Sequence, residues 1–429
     1  MTSLAILLGV FLFFLVLGVP MVFSLTLSAL AMLWSLDMIS PHLVVQRMFA
    51  GIDSFPMMAI PFFMLAGSIM EQGGISSRLV RFSNYLVGWI TGGLAHVSVV
   101  AAMFFAGITG SAVADTSAIG AAMIPMMKKR GFDARFSASL VAAAGVVGPI
   151  LPPSIPAVIY GVIAGVSIGK LFLGGVVPGI IMGASLMLVS YIQAKRHHYP
   201  REPRPPSARV FLRATLDASG ALIMPVIIVG GILSGIFTAT EAAVVAAVYA
   251  FIAGKFIYRE LQWQQLPEIF FRAGLSTAMI LIIVGVANLV GYILALERIP
   301  LALAQWLSGA IESRVVILLL LNIVLLVVGC FIDGGSAMII FTPVLMPLIE
   351  KFKIDPVFFG VLMTVNLMIG TITPPVGLSL FVAQDIAGIT LEQICRSIVP
   401  FFLVEVGTLL LITYVPDLVM FLPNLLWHK

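Results

Sequence analysis

Charged residues are scarce in this sequence. Aspartate, glutamate, lysine and arginine make up 10% of its 429 residues, whereas hydrophobic residue types make up 61%. A soluble domain commonly has about a quarter of its residues charged, because its surface must face water. The composition therefore excludes an ordinary soluble protein. Apolar runs of roughly 18 residues or more recur along the chain, and each is long enough to cross a bilayer as a helix.

Cysteine is nearly absent, and so are common catalytic motifs. The two cysteines, Cys330 and Cys395, lie in apolar stretches and form no Cys-x-x-Cys pair, which argues against a disulfide framework or a zinc site. The sequence has no phosphate-binding loop of the form GxxxxGK[ST] and no HExxH motif. We therefore expect a protein that is not an enzyme and that needs no cofactor. An integral membrane enzyme is the disfavoured alternative.

Basic residues outnumber acidic residues by 23 to 19. In a membrane protein, loops rich in lysine and arginine stay in the cytoplasm, so this excess serves orientation and predicts no nucleic-acid partner. Residues 195–217 form the most polar stretch and are predicted to be a cytoplasmic basic linker. Residues 128–130 and 255–259 are expected on the same side, and the charge-balanced loop 350–355 on the other. This arrangement predicts a cytoplasmic amino terminus and an external carboxyl terminus.

The hydropathy pattern predicts an all-α polytopic membrane protein. Residues 38–52 and 299–312 mix apolar and polar positions and predict amphipathic helices on the membrane surface. Membrane segments are expected near residues 4–34, 54–74, 90–107, 112–128, 135–165, 171–194, 218–236, 239–254, 268–296, 315–330, 336–350, 356–387 and 393–427.

An internal repeat relates two parts of the chain. A shift of 222 residues aligns residues 107–153 with residues 329–375 without gaps and gives ten identities. This exceeds the number expected from composition and indicates a duplication. Because the charge pattern puts the two copies in opposite orientations, we predict an inverted-topology repeat, which is typical of secondary transporters.

Each copy of the repeat carries a Pro-Pro pair within an apolar segment. The sequences are GPILPPSIP at residues 148–156 and GTITPPVG at residues 370–377. Proline removes a backbone donor and clashes with the preceding turn, so both segments are predicted to be broken helices. Lipid offers no partner for the freed carbonyls, and a bound cation or substrate could supply one. A simple kink that serves packing is the alternative.

Small residues precede each broken helix. Residues 107–112 and 329–336 are predicted to be the tips of two re-entrant helical hairpins, where glycine permits a tight turn. The helix that follows each tip would point its partially positive amino terminus at an anion. Carbonyl groups, together with Ser111, Thr371, Thr373 and the carboxylate of Asp333, would suit Na⁺. Glycine that only allows close helix packing is the alternative.

Acidic residues within apolar segments are costly and are usually functional. Asp333 is predicted to be a cation ligand. Asp115 could either serve function or act as a partner for the helix dipole, and the sequence does not decide between them. Glu241 is better explained as a helix-capping residue, and His96 as a buried core residue.

Five stretches together resemble a known family. They are AIPFF at 59–63, GSAVA at 110–114, GPILPPS at 148–154, GIFTATEA at 235–242 and GTITPPVG at 370–377. They resemble the large membrane subunit, of the DctM type, of tripartite ATP-independent periplasmic (TRAP) transporters. The resemblance covers essentially the whole chain and implies a multi-pass protein of the bacterial inner membrane.

The resemblance implies Na⁺-coupled import of organic acids such as C4-dicarboxylates or sugar acids. It further implies two kinds of partner besides membrane lipid and the acid. A periplasmic binding protein of the DctP type would deliver the acid, and a small four-helix subunit of the DctQ type, not fused to this chain, would brace it. The two hairpins and two broken helices would form a transport domain that moves against a scaffold by an elevator mechanism.

The same resemblance implies site residues. Substrate would lie near Thr109, Ser154 and Asn366. One Na⁺ site would use Gly110 and Ser111 with carbonyls at Gly148, Ile150 and Pro152, and a second would use Gly329, Asp333, Gly370, Thr371 and Thr373.

A stand-alone Na⁺/dicarboxylate symporter and a channel are the alternative functions.

The expectations above divide the chain into five parts. The parts are residues 1–89 (scaffold helices and a surface arm), 90–194 (first half of the transport domain), 195–217 (the linker), 218–314 (scaffold helices and a second arm) and 315–429 (second half of the transport domain and a carboxyl-terminal helix).

Overall fold

The computed structural model describes residues 2–36, 40–201, 207–311 and 313–427. Over these ranges the chain consists of α-helices and short helical turns, without a β-strand, as the sequence predicted. Within the same ranges, five helices are long and apolar enough to cross a membrane, and four sharply bent helix pairs raise the number to as many as nine spans. The all-α, multi-pass prediction is therefore confirmed.

Five helices precede the repeat. The single span predicted for residues 4–34 is wrong, because Gly18, at a φ of +78°, and Pro20 divide it into two helices that pack side by side. The cytoplasmic amino terminus, which assumed one span here, loses its basis. The helices are α1 (Thr2–Val16), α2 (Met21–Ser35), α3 (Pro41–Ile52), α4 (Ala59–Gln72) and α5 (Ile75–Val87), with a 3-10 turn at Phe55–Met58 before α4.

Two of these helices are amphipathic. Helix α3 corresponds to the amphipathic helix predicted at residues 38–52. It lies against α13, which is defined below, and it meets the segment Phe55–Gln72 at an angle of 65°. Helix α5 was missed, because Arg78, Arg81 and several serine and asparagine residues interrupt its apolar stripe and lower its hydropathy below that of a span. Its apolar side packs against its neighbours α6 and α11.

The first copy of the repeat contains a helix pair joined by a short turn and the predicted break in a helix, whereas the re-entrant course of the pair stays a prediction. Helix α6 packs against α7, and a break separates α8 from α9. The helices are α6 (Gly93–Thr109), α7 (Ala112–Lys129), α8 (Ala134–Val147), α9 (Ile155–Ala164) and α10 (Ile168–Arg196).

Four helices connect the two copies. Helix α13 has 31 residues, a length of about 46 Å, which exceeds the thickness of the hydrocarbon core. Helix α14 corresponds to the amphipathic segment predicted at 299–312 and packs against α16, described next. The helices are α11 (Ala208–Leu233), α12 (Ala239–Ile252), α13 (Leu266–Leu296) and α14 (Ile299–Ala310).

The second copy matches the first closely. Helices α7 and α16 begin and end at positions 222 residues apart, and helices α8 and α17 begin at positions with the same spacing. Aspartate caps both later helices, as Asp133 before α8 and Asp355 before α17. The helices are α15 (Arg314–Phe331), α16 (Gly334–Lys351), α17 (Pro356–Gly370) and α18 (Leu378–Ala387).

The carboxyl-terminal region was predicted as one segment, 393–427, but it is not one continuous helix. Three helices occupy it, and the last two meet at 58°, next to Pro416. Helix α20 packs against α10 and α17. The helices are α19 (Leu391–Ser397), α20 (Val399–Tyr414) and α21 (Asp417–Leu426).

Charged residues form two groups, one around Arg78 and one around Arg135 and Arg196, which we together call the basic end. Arg78 lies 2.6 Å from Glu260 and 3.6 Å from Asp217. Arg135 lies 2.7 Å from Asp133, and its hydrogen bond to this side chain lowers the pKa of Asp133. Lys195 and Arg196 close α10 at the same end.

Candidate functional site

The first broken helix opens between α8 and α9. A 3-10 turn at Gly148–Ile150 follows α8, and four further residues precede α9, which is bent by 41° relative to the first segment. Ser154 begins the second segment by accepting a hydrogen bond from the N–H of Ala157 at 3.2 Å, and its hydroxyl donates to the carbonyl of Pro149. The interruption predicted from the prolines is therefore present, and Ser154 closes it locally.

The second broken helix opens between α17 and α18, with seven residues from Thr371 to Gly377 in the gap. The Thr371 hydroxyl donates to the carbonyl of Met368 at 2.7 Å and accepts from the Ser379 hydroxyl at 3.1 Å. Thr373 donates to the carbonyl of Ile369 at 2.9 Å. Both Pro-Pro bonds, in this gap and in the first, are cis. Thr371 thus links the end of α17 to α18, while Thr373 bonds back to α17.

Each hairpin tip ends one helix and starts the next within two residues. Gly110 ends α6 with a φ of +64°, a conformation that favours glycine, and Ser111 caps α7. Asp333 caps α16 by accepting from the N–H groups of Gly335 at 3.1 Å and Ser336 at 3.4 Å. At each tip, therefore, the helix that follows the turn begins with a capped amino terminus.

The two tips meet on α9. A methyl group at Gly110 would lie 2.7 Å from Cγ1 of Ile155, and one at Gly335 would lie 3.8 Å from Cδ1 of Ile159. The second tip also touches its own broken helix, because a methyl group at Gly370 would lie 2.5 Å from Cα of Gly329. The first residues of α9 therefore stand between the two hairpins.

A cavity of about 470 Å³, which we call the central cavity, opens where these elements meet. The amino-terminal ends of α7, α9 and α16 form one wall, and side chains of α4 and α13 form the opposite wall. It is lined by Met64, Gly67, Ser68, Glu71, Gly110, Ser111, Ala112, Ala114, Ile155, Pro156, Ile159, Arg272, Ser276, Met279, Ile280, Ile283, Asp333, Gly335, Ser336, Ile339, Met368 and Thr371.

The central cavity combines features for both signs of charge. Three helix amino termini border the cavity, and their dipoles favour an anion there. Asp333 and Glu71 supply carboxylates, and Arg272 adds a guanidinium that lies 2.6 Å from Glu268. Among the described residues no three His, Cys, Asp or Glu side chains cluster as a metal site. The cavity therefore brings helix ends that favour a small anion together with side-chain oxygen atoms and one guanidinium.

The structure brings only part of the predicted site into this cavity. Gly110, Ser111, Asp333 and Thr371 line it, while the side chain of Thr109 lies outside the described part of the chain. The predicted residues that do not line it are Ser154, Asn366, Gly148, Ile150, Pro152, Gly329, Gly370 and Thr373.

Two of the predicted residues that do not line the cavity contact other helices instead. A methyl group at Gly175 of α10 would lie 2.2 Å from the Ile150 carbonyl oxygen, so this oxygen points at α10. Asn366 is fully buried in α17, where its amide donates to Asn322 and to the carbonyl of Leu362, both at 2.9 Å. Their proposed contacts with Na⁺ and substrate stay predictions.

Sequence reasoning missed polar residues on the other helices. Glu71 and Arg272 lie near the ends of α4 and α13, where a charge does not distinguish a cavity residue from a loop residue. Glu405 is fully buried in α20, and neither of its carboxyl oxygens has a hydrogen-bond partner within the described residues. A lone acid in the apolar run 399–414 was a signal that could have identified Glu405.

Comparison with protein families gives one match that spans nearly the whole chain. Residues 8–418 match the family described as the tripartite ATP-independent periplasmic transporter, DctM component. The matched range includes both hairpins, both broken helices and the central cavity.

Individual relatives support the same family. The chain is 43% identical over 418 residues to an isethionate TRAP transporter permease protein, DctMQ, from Oleidesulfovibrio alaskensis; this covers 97% of the chain and 66% of that protein, so the chain spans about two thirds of its length. It is 39% identical to the C4-dicarboxylate TRAP transporter large permease protein DctM from Pseudomonas aeruginosa, over 88% of each chain.

Solved structures show a similar fold at low sequence identity. The Alcanivorax borkumensis YdaH transporter aligns with a TM-score of 0.62 and 14% identity, and the match covers 86% of each chain. At this identity the likeness concerns the fold alone.

Proposed function

Because the chain belongs to the DctM component family of TRAP transporters, we propose that it is the large permease subunit of a Na⁺-coupled importer of small organic acids. The family consists of multi-pass permeases of the bacterial inner membrane, not enzymes. The observation that carries the proposal is the central cavity, where both hairpin tips and the first broken helix come together.

The proposed substrate is a small organic anion with a carboxylate or sulfonate group. The relatives named above transport isethionate and C4-dicarboxylates, according to their names. A cavity of about 470 Å³ has room for molecules of this size. The amino termini of α7, α9 and α16 would hold the acid group, and Ser336 and Ser276 would offer hydroxyl groups beside it.

The proposed coupling ion is Na⁺, carried as a second substrate. Gly110 and Ser111 at the first tip, Asp333 at the second tip and Thr371 in the second broken helix line the cavity with carbonyl, hydroxyl and carboxylate oxygens, which are the ligands of hard cations. A cation beside Asp333 would also offset the repulsion between this carboxylate and an anionic substrate. Neither tip alone supplies a complete ligand shell from the described side chains, so backbone oxygens of the broken helices would have to contribute.

We further propose an elevator mechanism. One wall of the central cavity comes from hairpins and broken helices, and the other from α4 and α13. Movement of the first group along the second would change which side of the membrane reaches the cavity. Glu71 and Arg272 lie toward the basic end, which we propose faces the cytoplasm, so this conformation would be open inward.

The proposed partners are a small four-helix subunit and a periplasmic binding protein. The name of the relative from Oleidesulfovibrio alaskensis, DctMQ, joins the two membrane components in one chain. A stand-alone symporter is the alternative, and uptake by this chain without either partner would favour it.

Uptake into vesicles tests the proposal. The chain, a small subunit and a binding protein are reconstituted, and accumulation of labelled succinate or isethionate is measured with an inward gradient of Na⁺ or of choline. We expect Na⁺-dependent accumulation that Asp333→Asn reduces at least tenfold. Asparagine remains a good helix cap, so this variant removes the charge and keeps the fold.

A matched control is Glu392→Gln. Glu392 is an exposed acid on α19 that pairs with Arg396 and does not line the cavity. Its loss should leave uptake unchanged. Equal accumulation with Na⁺ and with choline would contradict Na⁺ coupling.

A further inference from the structure

A second cavity lies farther along α13. It has a volume of about 460 Å³, and we call it the Arg47 cavity. Like the central cavity, it lies between α13 on one side and α9 and α16 on the other, but α3 replaces α4. It is lined by Arg47, Ala50, Gly51, Ser54, Met57, Val162, Ile163, Val284, Ala287, Asn288, Gly291, Tyr292, Ile339 and Pro343.

The two cavities lie at opposite ends of the same interface. Arg272 lines the central cavity and Tyr292 lines the Arg47 cavity, and they are 20 residues apart on α13, a separation of about 30 Å along the helix axis. Ile339 lines both cavities, and Ile283 and Val284 line one each. Branched apolar side chains therefore lie where the two cavities adjoin.

The guanidinium of Arg47 has no acidic partner among the described residues. It lies 3.8 Å from the centre of the Tyr292 ring, which orients its plane. Its Nε is buried without a hydrogen-bond partner, and so is the hydroxyl of Ser54. Asp53, the nearest acid in sequence, is exposed, and no ion pair joins it to Arg47.

A buried donor without a partner is costly, and a cation in a cavity attracts an anion. Arginine is suited to acid groups because its planar fork can donate two parallel hydrogen bonds to a carboxylate or a sulfonate. Asn288 faces the same space from α13 and can donate or accept. The cavity therefore offers one charged donor, a hydroxyl and an amide, with apolar walls from α9 and α16.

We propose that the Arg47 cavity is a second binding site for the acid group of the transported molecule. Arg47 is its anion ligand, and Tyr292 holds the guanidinium in position. This inference rests on the proposed function, which supplies the direction of transport. If the basic end faces the cytoplasm, the Arg47 cavity lies on the opposite side and receives the acid before the central cavity does.

Kinetics of uptake test the site in the complete reconstituted complex. Arg47→Met keeps an apolar side chain of similar length against Tyr292 and removes the charge. We expect this variant to raise the KM for labelled succinate or isethionate about tenfold and to retain most of the kcat. Arg47→Lys keeps the charge but loses the planar guanidinium, so its KM should lie between those of the wild type and Arg47→Met.

Gln46→Ala is the matched control, because Gln46 is an exposed neighbour on the same helix. It should leave KM and kcat unchanged. If Arg47→Met transports with the wild-type KM, the contact with Tyr292 is structural and the inference is wrong. If the wild-type complex shows no Na⁺-driven uptake at all, the proposed function fails instead.

A second measurement needs no transport. Because the cavity would bind acid groups, excess succinate should raise the Tm of the purified wild-type permease more than the Tm of Arg47→Met. The same comparison with Gln46→Ala should show the full wild-type shift. Equal shifts in the wild type and Arg47→Met would overturn the binding site, whatever the uptake assay gives.

Discussion

Glu405 is a buried acid that the fold does not satisfy. It lies on α20 where this helix packs against α10 and α17, and its two carboxyl oxygens have no hydrogen-bond partner among the described residues. Burying such a group costs about 1–3 kcal/mol when nothing compensates it. Its position, away from the central cavity, separates this cost from the proposed ion sites.

We therefore expect Glu405→Met to raise the thermal stability of the purified protein, by about 1–3 kcal/mol. The change replaces a polar group with an apolar side chain of similar length in an apolar surrounding. The measurement is the Tm in detergent, followed by intrinsic fluorescence. A fall in Tm would show that the carboxyl group has a stabilising partner, such as an ion.

Asp133 illustrates a capping acid outside the membrane-spanning helices. It accepts a hydrogen bond from the N–H of Arg135 at 2.7 Å and pairs with the guanidinium of the same residue. This side-chain hydrogen bond lowers the pKa of Asp133 below its ordinary value. A lowered pKa in the folded state means that the ionised form stabilises the fold.

The sign of the pH dependence follows. The contribution of Asp133 is present above the ordinary pKa of an aspartate and is lost as the pH falls through its lowered value. We expect Asp133→Ala to cost about 1 kcal/mol at neutral pH, whereas Asp133→Asn keeps the cap at little cost. Melting curves across acid pH should show a smaller loss for Asp133→Asn than for the wild type.

At the scale of helices, contact between the second tip and the second broken helix depends on glycine. Gly329 lies in the last turn of α15 beside Gly370 at the end of α17, and a methyl group on Gly370 would meet the backbone of Gly329 at 2.5 Å. No flexible side chain can move away here, because the obstacle is main chain. The helices would have to separate, and the tip would move with them.

We expect Gly370→Ala to destabilise the protein by about 2 kcal/mol or more and to reduce Na⁺-dependent uptake strongly. The control is Gly407→Ala on α20, where a methyl group would meet nothing within 4 Å. Since alanine favours helix over glycine by about 1 kcal/mol, this control should be neutral or stabilising. Equal behaviour of the two variants in Tm and uptake would contradict a close tip contact.

At the scale of the whole molecule, the two cavities make a prediction about access. Ser276 lines the central cavity, and Asn288 lines the Arg47 cavity. If the basic end is cytoplasmic and this conformation is open inward, a cysteine at each position should react from a different side. The partly exposed native Cys395 is replaced by serine first.

We expect Ser276→Cys to be labelled by a charged thiol reagent from the cytoplasmic side, and Asn288→Cys from the periplasmic side, in oriented vesicles without Na⁺. The experiment uses inside-out and right-side-out vesicles of the same preparation. Labelling of both positions from one side would rule out two cavities that open to opposite sides.

Much of the element pattern was readable from the residues. Proline pairs predicted the two broken helices, and runs of small residues rich in glycine predicted the two turns, because these residues act on their own backbone. Helices α1 and α2 were predicted as one span, since Gly18 and Pro20 are weak breaks in a pattern of uniform hydropathy. Helix α5 was missed for the opposite reason, as its charges lower the hydropathy of a packed helix.

The sequence by itself determined that this is an all-helical membrane protein with two matched, interrupted halves, because apolar length, proline and glycine act locally. Only the tertiary structure decided which groups share a space. It put Asp333, Thr371 and Ser111 around one cavity with Glu71 and Arg272, and it put Asn366 into the packing of α17 instead. Whether a polar side chain faces a cavity or a neighbouring helix depends on how distant helices pack, and no local pattern specifies that arrangement.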